Sequence, residues 1–357
     1  MALYLHYSQR ALRFNFPART SRGALTEHLA WYLHLSDDAQ PGRTGLGEAA
    51  PLAGLSPDYG PGFEARLQQL CQEFNAQSFG AALEAVVEKL VEPEWPALRF
   101  GLETALLDWQ QGGQRQLFDT PFSRGEAGIS INGLVWMGDA EFMRAQIRKK
   151  LTEGYTCLKL KIGGIDFATE LELLRLIRRE ASPAELTLRV DANGAFRPAE
   201  ALSKLQQLAE FSLHSIEQPI QPGQWPAMAS LCQSSPVPIA LDEELINLTD
   251  KIRQTELLET VRPAYLVLKP TLLGGLAATS HWIALARQQE LGWWLTSALE
   301  SNVGLNAISQ YTAQQPTQGM PQGLGTGQLY HNNVPAPLRI EAGQLWYDPE
   351  NQWVLPE

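Results

Sequence analysis

The sequence predicts an α/β protein in which a parallel (β/α) barrel follows an α+β segment. Three observations carry that expectation. From about residue 129 onward, short β-rich runs alternate with helical patterns, as parallel βαβ units require. There are eight such runs, at 129–133, 157–163, 186–193, 215–219, 238–243, 264–270, 293–297 and 322–327. Five consecutive runs end in a charged residue, namely Lys161, Asp191, Glu217, Asp242 and Lys269, spaced 25 to 30 residues apart. An open doubly wound sheet would spread those groups along one edge. A barrel gathers the C-terminal ends of its strands at one mouth, where active sites are built.

The elements follow in order. Residues 3–7 and 30–35 are rich in aromatic and aliphatic side chains and read as half-buried antiparallel strands. Helical patterns follow at 63–74 and 79–91, then Pro93 and Pro96 punctuate the chain before another helix at 98–110. Between the later β-runs lie helical patterns at 167–180, 198–209 and 276–289. A chain of 357 residues is longer than one compact core usually grows, so a second structural unit beside the barrel is expected.

Composition narrows the function classes. With 44% hydrophobic and 19% charged residues the chain reads as a soluble globular enzyme. A net charge of −11 argues against nucleic acid or an anionic membrane as partner. It leaves room for a small anionic substrate, because local lysines and a metal can invert the field inside one cleft. The three cysteines, Cys71, Cys157 and Cys232, are scattered and odd in number, which excludes a disulfide framework and fits a reducing compartment. The start has no signal-peptide pattern, and no apolar run approaches the roughly 18 residues of a membrane span. A cytoplasmic location is expected.

The strand-end charges point to a chemistry. Asp191, Glu217 and Asp242 would aim at a common volume, where three carboxylates repel unless a counter-ion joins them. An all-oxygen set suits a hard divalent cation, magnesium or manganese. In the run 157–162, Leu158, Leu160 and Ile162 would face the outer helices, sending Lys159 and Lys161 into the barrel. Proximity to Lys159 and to a metal should lower the pKa of Lys161 and make it available as a base. Lys269 would lie on the far side of the three acids. A metal bound to a substrate carboxylate, with a base beside it, lowers the barrier to removing the adjacent C–H proton.

Lys159-Leu160-Lys161, Asp191-Ala192-Asn193, Ile216-Glu217-Gln218-Pro219, Leu241-Asp242-Glu243 and Leu268-Lys269-Pro270 together resemble the signature set of the enolase superfamily, in its muconate-lactonising-enzyme-like branch. That family's lysine-plus-magnesium arrangement is a known pattern. The segment 45–49, Gly-Leu-Gly-Glu-Ala, also resembles a cap-domain segment of the branch. The resemblance implies an α+β capping domain at 1–97, a modified (β/α)7β barrel of the TIM type at 98–328, and a tail at 329–357 returning to the cap. It implies magnesium, with manganese as a substitute, on Asp191, Glu217 and Asp242. Lys161 becomes the acid/base and Lys269 the cation on the opposite face. Lys159 would meet the substrate carboxylate, with Asn193 near the substrate and, like Glu243, supporting the site from behind.

Several reactions share these residues within the branch. Dipeptide epimerases of the branch usually carry an Asp-x-Asp in the eighth-strand region, and here residues 322–327 hold no acid. Their glycines, Gly325 among them, leave backbone N–H groups for an anion. The seventh-strand loop 297–304, beginning at Ser297, and the loop 19–23, with Ser21 and Arg22, are further candidate substrate contacts. The expectation is syn-dehydration of 2-succinyl-6-hydroxy-2,4-cyclohexadiene-1-carboxylate to o-succinylbenzoate. Dipeptide epimerisation or N-acylamino-acid racemisation is the alternative.

Overall fold

The computed structural model describes residues 3–20, 23–77 and 85–356. Three strands open the chain, β1 (Leu3–Thr20), β2 (Gly23–Asp37) and β3 (Thr44–Ala49), joined in an antiparallel sheet of order β1-β2-β3. Their period of two puts Leu3, Leu5, Trp31, Leu33 and Leu35 on one face, buried against Phe63, Leu67, Leu70 and Phe74 of the helix Phe63–Asn75. The helical pattern expected at 79–91 lies partly outside the described residues, and its described part forms the short helix Val86–Leu90.

The helix Pro96–Gln110 straddles the break expected at residue 97. Its Leu98, Leu102, Ala105 and Leu106 share the apolar cluster of the first sheet. Glycine explains how close that packing is. A Cβ on Gly45 would stand 2.1 Å from the Ala105 carbonyl oxygen, and one on Gly47 would stand 1.9 Å from that of Gly101. Backbone therefore lies on backbone here, and the next residue of β3, Glu48, is aimed away from the helix.

The remaining strands are β4 (Ile129–Ser130), β5 (Gly133–Val135), β6 (Cys157–Lys161), β7 (Thr187–Asp191), β8 (Ser215–Glu217), β9 (Ile239–Leu241), β10 (Tyr265–Leu268), β11 (Gly292–Leu295), β12 (Leu338–Glu341) and β13 (Gln344–Tyr347). Strands β5 to β11 form a parallel sheet in chain order, with helices between successive strands. Asp139, Asp166 and Asp250 begin three of those helices by accepting from Phe142 N, Thr169 N and Ile252 N. On β6, Leu158 and Leu160 join the large apolar core, which includes Leu173, Leu174 and Ile177 of the helix Phe167–Glu180. Lys159 and Lys161 take the opposite face.

The eighth strand differs from its expectation at 322–327. Gln322 bridges Ile131 and Gly323 bridges Thr296, and the chain then turns into the short 3₁₀ helix Thr326–Gln328. Those bridges link the two edges of the seven-stranded sheet. Gly323 is required for the approach, since a Cβ there would stand 2.2 Å from Thr296 Oγ1. The run expected at 129–133 is likewise divided. Its first two residues, β4, pair with β13, and the barrel strand β5 begins at Gly133.

Inside the barrel, the Arg189 guanidinium lies 4.0 Å from the Trp294 ring centroid and donates to the Pro321 carbonyl at 2.9 Å. The tail runs beside the first sheet, where Asn15 N donates to Leu329 O, His331 N donates to Arg13 O and Phe14 packs tilted against Tyr330. It then leaves as the β12–β13 hairpin. No helix among the described residues is long and apolar enough to cross a membrane.

Candidate active site

Strand register assembles the charged groups. Lys161 pairs with Asp191 and Asp191 with Glu217, so three neighbouring strands carry them at one level. Asp242 and Lys269 follow directly after β9 and β10. Carboxylate oxygens of Asp191, Glu217 and Asp242 lie within 4.8 Å of one another, and all three side chains are buried. Lys159 Nζ donates to Glu217 Oε2 at 3.0 Å and lies 3.3 Å from Asp191 Oδ2. Lys161 is bonded to Asp191 and donates to Asn193 Oδ1 at 3.0 Å, while Lys269 is bonded to Asp242.

Electrostatics separates these groups. Burial, and next the crowding by Asp191, push Glu217 well above an ordinary carboxylate, with Lys159 opposing. Burial also pushes Asp191 up, but Lys161 and Lys159 together overcome it and hold the group low. Asp242 is likewise held low, against its burial, by Lys269. Among the lysines, burial would lower Lys269 and Lys159, yet Asp242 and Glu217 respectively raise them. Lys161 is lowered, by burial first and then by Lys159, against the pull of Asp191. A crowded all-oxygen donor set in which one carboxylate is pushed toward its neutral form fits a hard divalent cation, which would relieve the repulsion. Asp191, Glu217 and Asp242 are the residues that would hold it.

Supporting contacts surround the triad. Asn193 adopts φ 46° and donates from Nδ2 to Glu243 Oε1 at 2.9 Å, so its amide spans Lys161 and Glu243. Sequence reasoning gave Asn193 a place near the substrate and a supporting role; here it bonds Lys161 and Glu243. Gln218, at φ 40°, accepts from the backbone N–H of Asp242 and of Glu244, each at 3.2 Å, which ties β8 to the turn carrying Asp242.

A cavity of about 210 Å³ opens above Lys159, Lys161 and Lys269. Ser297 and Gly325, both expected, line it. Ser21 and Arg22 lie outside the described residues, although their neighbours Gly23, Ala24 and Leu25 reach the cavity. Sequence reasoning missed two parts of the wall. One is the first-domain loop Leu52–Leu55, whose only sequence signal is a Pro-Leu-Ala-Gly turn. The other is the polar set Asn132, Thr296 and Thr326, which flank the barrel's closing bridges.

A second group of buried acids, Glu48 and Glu300, lies where the first sheet meets the barrel, and Glu48 bonds across the junction. Glu48 of β3 accepts from Ser301 N (2.7 Å), Ser301 Oγ (2.6 Å) and Gly304 N (2.7 Å), at the start of the helix Asn302–Gln314. Burial raises Glu48 to about 7, with those donors opposing. Next to it, Glu300 accepts from Ser297, Thr271 and the Ala298 amide.

Known proteins resemble this chain over most of its length. Residues 142–350 match the family described as enolase C-terminal domain-like. The o-succinylbenzoate synthase of Desulfotalea psychrophila is 48% identical, over 96% of this chain and 98% of that protein. The crystal structure of MenC from the same organism superposes with a TM-score of 0.86 at 44% identity, covering 97% of this chain and all of the other. The substrate-liganded L-Ala-D/L-Glu epimerase of Bacillus subtilis superposes with a TM-score of 0.85 over 99% of each chain. Its identity is 19%, so it shares the fold alone.

Proposed function

The chain belongs to the enolase C-terminal domain-like family, and from that premise we propose that it forms o-succinylbenzoate by syn-dehydration of 2-succinyl-6-hydroxy-2,4-cyclohexadiene-1-carboxylate. The observation that carries the reading is full-length similarity to the Desulfotalea synthase, together with the paired lysines and the three buried carboxylates. We propose three parts, a capping unit at 1–97, a barrel at 98–328 and a tail at 329–357, with the helix Pro96–Gln110 spanning the first boundary.

Asp191, Glu217 and Asp242 would hold magnesium, or manganese in its place. When bound, that cation supplies charge stabilisation to the substrate carboxylate as negative charge builds on it. Lys159, on the same inward face as Lys161, orients that carboxylate. Lys161 as a free amine takes the proton from the ring carbon bearing the carboxylate. It then returns a proton to the departing hydroxide on the same face, so water leaves and the amine is restored. Lys269 stands across the triad as a fixed positive charge. Asn193 and Glu243 hold Lys161 in place through the amide bridge between them. Aromatisation drives the elimination, so positioning and charge are the protein's main contributions.

The opposed lysines also suit an epimerase or racemase, which exchanges protons on both faces. Turnover of the cyclohexadiene with magnesium, its loss on chelation, and slow proton–deuterium exchange on dipeptides and N-succinyl amino acids are the expected results. Rapid exchange without dehydration would sink the first reading and establish the second.

A further inference from the structure

The seventh-strand loop contains a fully buried acid that the reaction above leaves unused. Glu300 Oε2 receives Ser297 Oγ and the Ala298 amide (2.8 Å), and Oε1 receives Thr271 Oγ1. All three partners are neutral. The Ala298 N–H marks Oε2 as an accepting oxygen, and a hydroxyl has one proton to give. Ser297 therefore spends its proton on Glu300. Its oxygen accepts from Leu299 N at 3.1 Å and from Thr326 Oγ1 at 2.8 Å. Thr326 in turn has spent its own proton on Ser297, and among the described residues its hydroxyl oxygen accepts nothing. Thr326 lines the cavity, so what it can offer there is a lone pair.

We propose that Glu300 is a positioning residue that fixes the polarity of this wall, turning Thr326 into an acceptor for a hydroxyl donor of the substrate. The wall then favours a ligand that presents an O–H and disfavours a carboxylate oxygen at that spot. This rests on the dehydration reading, in which the substrate carries one hydroxyl besides its carboxylates and the product carries none.

Thr326→Val is expected to raise the substrate KM about tenfold, the worth of one hydrogen bond, while Kd for o-succinylbenzoate moves less than about twofold by the same scale. Thr326→Ser restores KM. Ser297→Ala added to Thr326→Val changes KM no further, because both cut one relay. Glu300→Val reproduces the loss. Glu300→Gln recovers most of it, since the Ala298 N–H selects the amide carbonyl for the Oε2 position and Ser297 keeps its acceptor. Should Glu300→Val fail to fold, the Thr326 and Ser297 variants decide alone. Substrate KM and product Kd moving together, or independent effects of Ser297→Ala and Thr326→Val, overturn the inference. An inactive wild-type chain overturns the dehydration reading instead.

Discussion

Asp191, Glu217 and Asp242 at the barrel mouth, and Glu48 with Glu300 between the first sheet and the barrel, are both clusters of buried acids. Their partners differ. The triad is answered by three ammonium groups, Lys159, Lys161 and Lys269. Among the described residues the pair is answered by hydroxyls and backbone amides alone. Charged partners leave the triad with net electrostatic freedom that a cation or a substrate can exploit. Neutral donors occupy the pair, so that Glu48 serves as a joint between the first sheet and the barrel and Glu300 acts on the cavity only through its hydroxyl partners. Burial by itself therefore does not mark a reactive acid; the character of its partners does.

Substitutions test that contrast, beginning with the largest effect. Lys161→Ala should lower kcat by about 10³-fold or more, as loss of the acid/base demands, while magnesium affinity measured by calorimetry changes only a few fold, on the order of 1 kcal/mol. Full turnover by this variant would remove the lysine from the mechanism. Glu217→Gln should abolish the calorimetric magnesium signal. It should also erase the thermal stabilisation that magnesium gives the wild-type chain, about 2.7 kcal/mol at 100 times Kd. An unchanged magnesium isotherm would move the metal elsewhere.

Glu48→Ala strips three donors of their acceptor at the start of the helix Asn302–Gln314. A loss of about 3 kcal/mol in urea unfolding is expected, with magnesium affinity retained. A smaller but more diagnostic effect is the pH dependence of that joint. Because burial raises Glu48 from 4.5 to about 7, the folded chain holds this proton more tightly than the unfolded one. The resulting stabilisation is complete below the unfolded value, declines as pH rises toward 7, and is gone above it. Wild type minus Glu48→Gln should therefore fall by ~3 kcal/mol across that window. Asp58 and Glu170, also raised to about 7, remain in both proteins and cancel in the difference. A difference that stays flat from pH 4.5 to 7 would show that Glu48 titrates normally.

The two clusters were not equally legible. Each triad member closes a short β-rich run, and the runs recur at 25 to 30 residues. Once parallel strands are inferred, their ends must converge, so chain order alone brings the acids together. Glu48 and Ser301 are 253 residues apart, and no local period relates them. Gly45 and Gly47 were visible as a motif, but their purpose lies in the carbonyls of Gly101 and Ala105 that they touch. Asn193 was legible only in part. Its adjacency to Asp191 was readable, while its left-handed backbone and its bridge to Glu243 turned it behind Lys161.

By itself the sequence determined the parallel alternation, the inward lysines of β6, the three acids and the absence of an acid at 322–327, because period and strand order are local properties. The tertiary structure decided how the barrel closes, through two bridges where an eighth strand was expected. It decided that residues 52–55 share the cavity wall with the barrel. It also decided which hydroxyls still have a lone pair to offer. Those outcomes depend on contacts between segments distant in the chain, and on the rule that each buried proton can be given only once.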